Sequence, residues 1–152
     1  MSAHVELGDR EIVVVLVDRR VQLPVGVLTL SADITTDPPR PEDLTNAIGL
    51  VADHLDDVVR ALPDLVGAEL TISGPEVTAM VAVEVGGPAT LPFELDRAAA
   101  EDVFRTIVTE GRADRAHNPG LDVLLVDRIV AGCCAVVAVM RKLQVDTVTV
   151  LP

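Results

Sequence analysis

Leu44, Ala47, Ile48, Val51, Leu55, Val58, Val59 and Leu62 recur at spacings of three and four. At 3.6 residues per turn that spacing gathers them into one apolar stripe, with Asp53, Asp56, Asp57 and Arg60 lying off it. Pro41-Glu42-Asp43 opens the segment, and a proline in the first turn with acids beside the positive helix end favours a start there. Pro63 closes it, because proline cannot donate the next helical hydrogen bond. The segment is therefore a long helix with a single buried face, and the rest of the chain must supply the surface that covers it.

That surface has to be aliphatic. The chain has no Trp and no Tyr, and Phe93 and Phe104 are its only aromatic residues, while 49% of it is apolar. Val, Leu, Ile and Ala must form the core, a composition suited to a sheet covered by helices. A length of 152 residues fits one domain with one core, spanning 1–152. Two short β-branched runs, His4 to Leu7 and Glu11 to Val17, flank Gly8-Asp9, which reads as a tight hairpin turn. Asp18-Arg19-Arg20 makes a second turn, and Val21 to Leu30 reads as a third strand. Asp37-Pro38-Pro39-Arg40-Pro41 is a stiff linker into the long helix.

Beyond Pro63, Ala68 to Ile72 reads as a fourth strand and Ser73-Gly74-Pro75-Glu76 as a strand-to-helix turn. Val77 to Val85 is a short helix closed by Gly86-Gly87-Pro88, and Asp96 to Glu110 a helix capped by Asp96. Gly111 to Gly120 reads as a loop, Val126 to Leu143 as a mostly apolar helix and Thr147 to Leu151 as a last strand. The order β-β-β-α-β-α-α-α-β, a meander followed by alternating helices and strands, predicts an α/β domain of the ribonuclease H-like fold. That unit is half of an actin-like ATPase, with a mixed central sheet flanked by helices.

Charge narrows the partners. The net charge is -12, a field that repels phosphate polymers and nucleic acid unless a local basic cluster opposes it. Arg19-Arg20 and Arg141-Lys142 are the densest basic groups. Without aromatic platforms, single-strand nucleic-acid binding is not expected either. Cys133 and Cys134 are adjacent within an apolar run and lack metal-ligand spacing, so they read as buried thiols in a reducing compartment. Ile129 to Met140 is too short to span a membrane, and the N-terminal residues carry no signal-peptide pattern, so a cytoplasmic protein is expected.

Several stretches, taken in order, resemble the second domain of the Ppx/GppA phosphatases, the exopolyphosphatases and guanosine pentaphosphate phosphohydrolases. Leu23-Pro24-Val25-Gly26-Val27-Leu28-Thr29-Leu30 is similar to that family's "LPVGAVRLT", and Asp37-Pro38-Pro39-Arg40-Pro41-Glu42-Asp43-Leu44 to its "DPPTPEEL". His117-Asn118-Pro119-Gly120-Leu121 with Val126-Asp127-Arg128-Ile129-Val130-Ala131-Gly132 resembles "PGL…AD.IVAGA". Val139-Met140-Arg141-Lys142-Leu143 and Val145-Asp146-Thr147-Val148-Thr149-Val150 resemble "VMRRLGVDEVTVS". The resemblance implies that the family's first domain, with its "DxGSN" loop and catalytic glutamate, lies outside these residues.

The phosphate motifs within the matching half depart from the family pattern. The "DIGGGSTE" loop, whose glycine amides face phosphate while its acids hold a metal, corresponds to Glu6-Leu7-Gly8-Asp9-Arg10-Glu11. Only Gly8 of the glycines remains, Asp9 brings a negative charge, and Arg10 is the cation that could offset it. The "GxGGT" loop reads Thr71-Ile72-Ser73-Gly74-Pro75, with proline removing an amide donor; the helix behind it still offers a weak anion site. Thr29 stands where the family commonly has Arg. Glu6, Gly8, Asp9, Arg10, Glu11, Ser73 and Gly74 are thus the candidate phosphate- or metal-facing remnants, against a plain reading as a hairpin turn with solvated acids. His54 with Asp53, Asp56 and Asp57 could hold a divalent ion but reads better as a solvated acidic face. His117 is expected to position its turn. No catalytic residue, cofactor or metal is assigned; Mg belongs here only if phosphate binding is retained.

Three functions follow from the resemblance. The first is a non-catalytic exopolyphosphatase-like domain acting by protein association, as a homodimer or with a separate protein resembling the first domain. The second is one subunit of a split phosphatase, and the third a weak phosphate or nucleotide sensor. No nucleic-acid or membrane partner is expected.

Overall fold

The computed structural model describes residues 1–152. It is a mixed six-stranded sheet flanked by helices, with strand order β3-β2-β1-β4-β6-β5. The strands are β1 (Ser2–Leu7), β2 (Ile12–Val15), β3 (Arg20–Leu23), β4 (Glu69–Ser73), β5 (Phe93–Asp96) and β6 (Thr147–Val150). The helices are α1 (Val27–Ala32), α2 (Pro41–Ala61), α3 (Pro75–Val85), α4 (Arg97–Thr109), α5 (Arg112–Arg115) and α6 (Arg128–Lys142). The meander β3-β2-β1 is antiparallel, β1, β4 and β6 run parallel, and β5 returns antiparallel at the far edge.

The expected strand over Val21 to Leu30 is corrected: it ends at Leu23, and Val27 to Ala32 is a helix. Two local causes act here. Pro24 has no N–H for the ladder. Gly26 N–H donates to Thr29 Oγ1 at 2.6 Å, and that hydroxyl donates back to the Gly26 carbonyl at 2.8 Å, closing the first turn of α1. Thr29 therefore caps a helix. The expected order also lacked β5, whose four residues Phe-Glu-Leu-Asp run directly into α4. Asp96 caps that helix as expected, accepting from the Ala99 amide at 2.7 Å. Within the Gly111–Gly120 segment read as a loop, Arg112 to Arg115 form one helical turn.

Helix α6 explains the aliphatic composition. Every residue from Ile129 to Met140 is buried, because α6 packs against α1, α2, α3 and α4 at once. The stripe of α2 docks on it through Leu44, Ala47, Val51, Leu55 and Val58, all buried. Each fully buried Val, Leu or Ile contributes about 1.5–3 kcal/mol. The strands alternate along their length. Val5, Leu7, Ile12, Val14, Leu70, Ile72, Leu95, Val148 and Val150 belong to the helix-covered core. His4, Glu6, Thr71, Ser73, Glu94, Thr147 and Thr149 point the other way, and that face has no helix over it. No helix is long and apolar enough to cross a membrane.

Candidate functional site

Two turns meet at one end of the sheet, β1 to β2 and β4 to α3. In the first, the Gly8 amide donates to the Glu11 carbonyl at 3.0 Å and closes the hairpin. Its outer carbonyls are occupied as well: Gly8 O accepts from Val27 N at 2.9 Å and Asp9 O from Leu28 N at 2.8 Å. The start of α1 is thereby tied down on the turn. Gly26 permits the approach, since a Cβ there would lie 2.5 Å from the backbone of Asp9 and Arg10.

In the second turn Gly74 has φ 144°, a conformation that side chains rarely adopt, and it abuts Leu7. Pro75 opens α3, and Glu76 behind it is only 1% exposed. Gly132 of α6 leaves the room that the stem of Glu76 fills.

Arg128, the first residue of α6, joins the two turns. Its Nε donates to Glu76 Oε1 at 2.9 Å, and its Nη2 lies 2.8 Å from the same oxygen while also bonding Asp9 Oδ1. A cation at a helix N-terminus opposes the dipole, but two carboxylates offset that cost. Glu76 Oε2 is buried without a hydrogen-bond partner. The end of the sheet that could face an anion is therefore filled by a carboxylate–guanidinium–carboxylate bridge.

The candidate residues divide accordingly. Gly8 and Asp9 belong to the bridged end, and Gly74 shapes it. Arg10 is exposed and makes no ion pair, so Arg128 and not Arg10 answers the charge of Asp9. Glu6 points to the bare sheet face and pairs with Arg20 at 3.3 Å, while Glu11 is exposed at the turn. Ser73 also faces the bare side, where its hydroxyl and that of Thr71 bond the two ring nitrogens of His4, at 2.9 and 2.7 Å. No three His, Cys, Asp or Glu side chains lie together in a way that could hold a metal ion. Asp56 of the acidic α2 face pairs with Lys142, which holds its carboxyl below the usual range by hydrogen bonding. The His117 ring bonds the Ala113 carbonyl at 2.8 Å, fastening its turn to α5. Cys133 and Cys134 are free and buried, and burial pushes the Cys134 thiol up to about 12 and Cys133 well above its ordinary value.

Sequence reasoning missed Glu76 and Arg128 as a pair. Each was visible singly, Glu76 as a helix-start acid and Arg128 within a family-like stretch, but nothing local links positions so far apart. A polar cavity of about 230 Å³ was also missed; Ser31, Thr36, Asp37, Arg112 and Asp127 are among its walls. The Arg112 guanidinium donates to Asp127 at 2.8 Å, a hydrogen bond that raises its pKa.

No protein-family model matches the chain, and no curated protein matches it in sequence. Solved structures do match in fold. An exopolyphosphatase-like protein superposes with TM-score 0.85 at 19% identity, covering 99% of this chain and 55% of its own. The Aquifex aeolicus Ppx/GppA phosphatase gives 0.81 at 16% identity, covering 99% and 52%. An exopolyphosphatase from Cytophaga hutchinsonii gives 0.83 at 15%, covering 99% and 53%. The chain thus has the ribonuclease H-like, actin-like fold found in Ppx/GppA phosphatases, and it spans about half the length of the structures it matches.

Proposed function

We infer that this is an exopolyphosphatase-like domain that does not hydrolyse phosphate anhydrides by itself and acts by associating with another protein. The observation behind the reading is the Asp9–Arg128–Glu76 bridge. A phosphate loop needs unpaired amides and a positive field. Here the Gly8 amide is spent within its own turn, Pro75 has none, and the one arginine between the turns is held by two carboxylates. A polyanion would have to displace Asp9 and then approach Glu76.

The test is thermal denaturation with magnesium and, in turn, polyphosphate, pyrophosphate and guanine nucleotides, together with a phosphate-release assay. The expected result is no release and no shift. A ligand present at about 100 times its dissociation constant would add roughly 2.7 kcal/mol, so a rise in midpoint of several degrees would overturn the reading. One observation favours a second reading, a subunit of a split phosphatase: the structural neighbours are about twice as long as this chain. Phosphate release that appears only on adding a protein resembling the other half of those structures would establish it.

A further inference from the structure

We propose that two copies of this chain pair through the bare face of the sheet, with β3 of one copy lying over β5 of the other. This rests on the association reading above and names the surface and the partner. The inference begins from the register. One row crosses the whole uncovered face, Arg20, Val15, His4, Thr71, Thr149 and Glu94, one residue from each strand in spatial order. Its ends carry opposite charge, Arg20 on edge strand β3 and Glu94 on edge strand β5. A two-fold axis parallel to the strands, passing between β1 and β4, lays this row on its own reverse. Arg20 of each copy then meets Glu94 of the other, Val15 meets Thr149, and His4 meets Thr71.

The neighbouring rows fit the same axis. Glu6 is in register with Ser73, and Ser2 with Glu69, so the acid of each central strand falls opposite a hydroxyl. Such self-complementarity is what an isologous dimer requires. The centre of the face is prepared for burial, because both His4 nitrogens are already bonded to the Thr71 and Ser73 hydroxyls. The present partner of Arg20 is exposed Glu6 at 3.3 Å, an ion pair weak enough to exchange. The strands β1, β4 and β6 at the centre run parallel, and parallel strands are ordinarily covered on both faces.

Size sets the strength. Six strands about 4.8 Å apart and roughly four residues long give a contact plane of about 350 Å², small beside the ~800 Å² per partner of a standard interface. The pairing is therefore weak and reversible, in the micromolar range or above.

The test is sedimentation equilibrium of the full chain, from dilute to roughly millimolar protein, on wild type, Arg20→Glu, Glu94→Arg, their equimolar mixture and the double variant. Both positions are exposed, and matching far-UV circular dichroism and thermal midpoints verify folding. The wild-type mass should rise towards twice the monomer. Each single swap should weaken pairing about tenfold or more, and the mixture and the double variant should both restore it, because opposite charges again meet across the axis. Three results would overturn the proposal: a wild-type chain that stays monomeric throughout, association indifferent to the swaps, or swaps that no complementary variant rescues. A monomer that also neither binds nor cleaves polyphosphate sinks this pairing alone. Phosphate release by the chain sinks the non-catalytic reading, whatever its mass.

Discussion

The bridged end of the molecule and its bare sheet face carry similar side chains to opposite effect. At the end, Glu76 is buried and Arg128 and Asp9 close over it. On the face, Glu6, Glu69 and Glu94 stand in solvent or lean on an exposed arginine. A carboxylate in solvent keeps its hydration and interacts weakly. A carboxylate taken out of water is held only as long as its cation remains. Charge is locked into the packing at the end and left to solvent on the face.

The sharpest way to break this contrast is Arg128→Ala. It strands Glu76 in the interior and should cost about 3 kcal/mol, a fall of very roughly 10 °C in thermal midpoint. Replacing both, Glu76→Leu with Arg128→Leu, should cost clearly less than the sum of the two single changes. If the costs simply add, the bridge is not the organising interaction of that end. Next in size is Gly74→Ala, which forces a side chain into φ 144° against Leu7. It should lose about 2 kcal/mol by denaturant titration, and a neutral result would mean the turn relaxes freely.

Partly exposed ion pairs fall between the two regions. Glu101 of α4 accepts two bonds from Arg141 of α6, at 2.7 and 2.6 Å, and this lowers its pKa from 4.5. A depressed carboxyl pKa means stability that is present above the ordinary value and lost as pH falls through the folded one. Acid unfolding of Glu101→Gln should therefore differ most from wild type at neutral pH and converge with it well below pH 4.5. A gap that persists into strong acid would assign the effect to packing instead. The smallest effect belongs to the bare face, where Thr149→Val should move stability by no more than about 0.5 kcal/mol. A larger loss in dilute monomer would show that this face is already part of the core.

Much of the fold was legible in the chain itself. The α2 stripe, the Pro41 and Pro63 boundaries, the Asp96 cap and the apolar run of α6 all follow from local periodicity and local bonding, which act between residues a few positions apart. The strand ending at Leu23 went unread because Val25, Val27 and Leu30 look β-like, while the Gly26–Thr29 capping bonds that make a helix of them are visible only in three dimensions. β5 escaped notice as a four-residue strand whose pairing with β6 depends on residues about a third of the chain away.

The site divides along the same line. Read alone, the chain showed that its first turn holds a single glycine, Gly8, that Asp9 adds negative charge there and that Pro75 carries no amide donor, because these are properties of residue types at given positions. Which cation answers Asp9 is set by packing alone, because Arg128 reaches it across 119 positions of chain. Packing likewise decided that Ser73 turns to His4 on the bare face rather than to the turn, since strand register sends alternate residues to opposite faces. Short-range preference is written in neighbouring residues; which distant charges meet, and which face of a sheet stays bare, are set only when the strands and helices are packed.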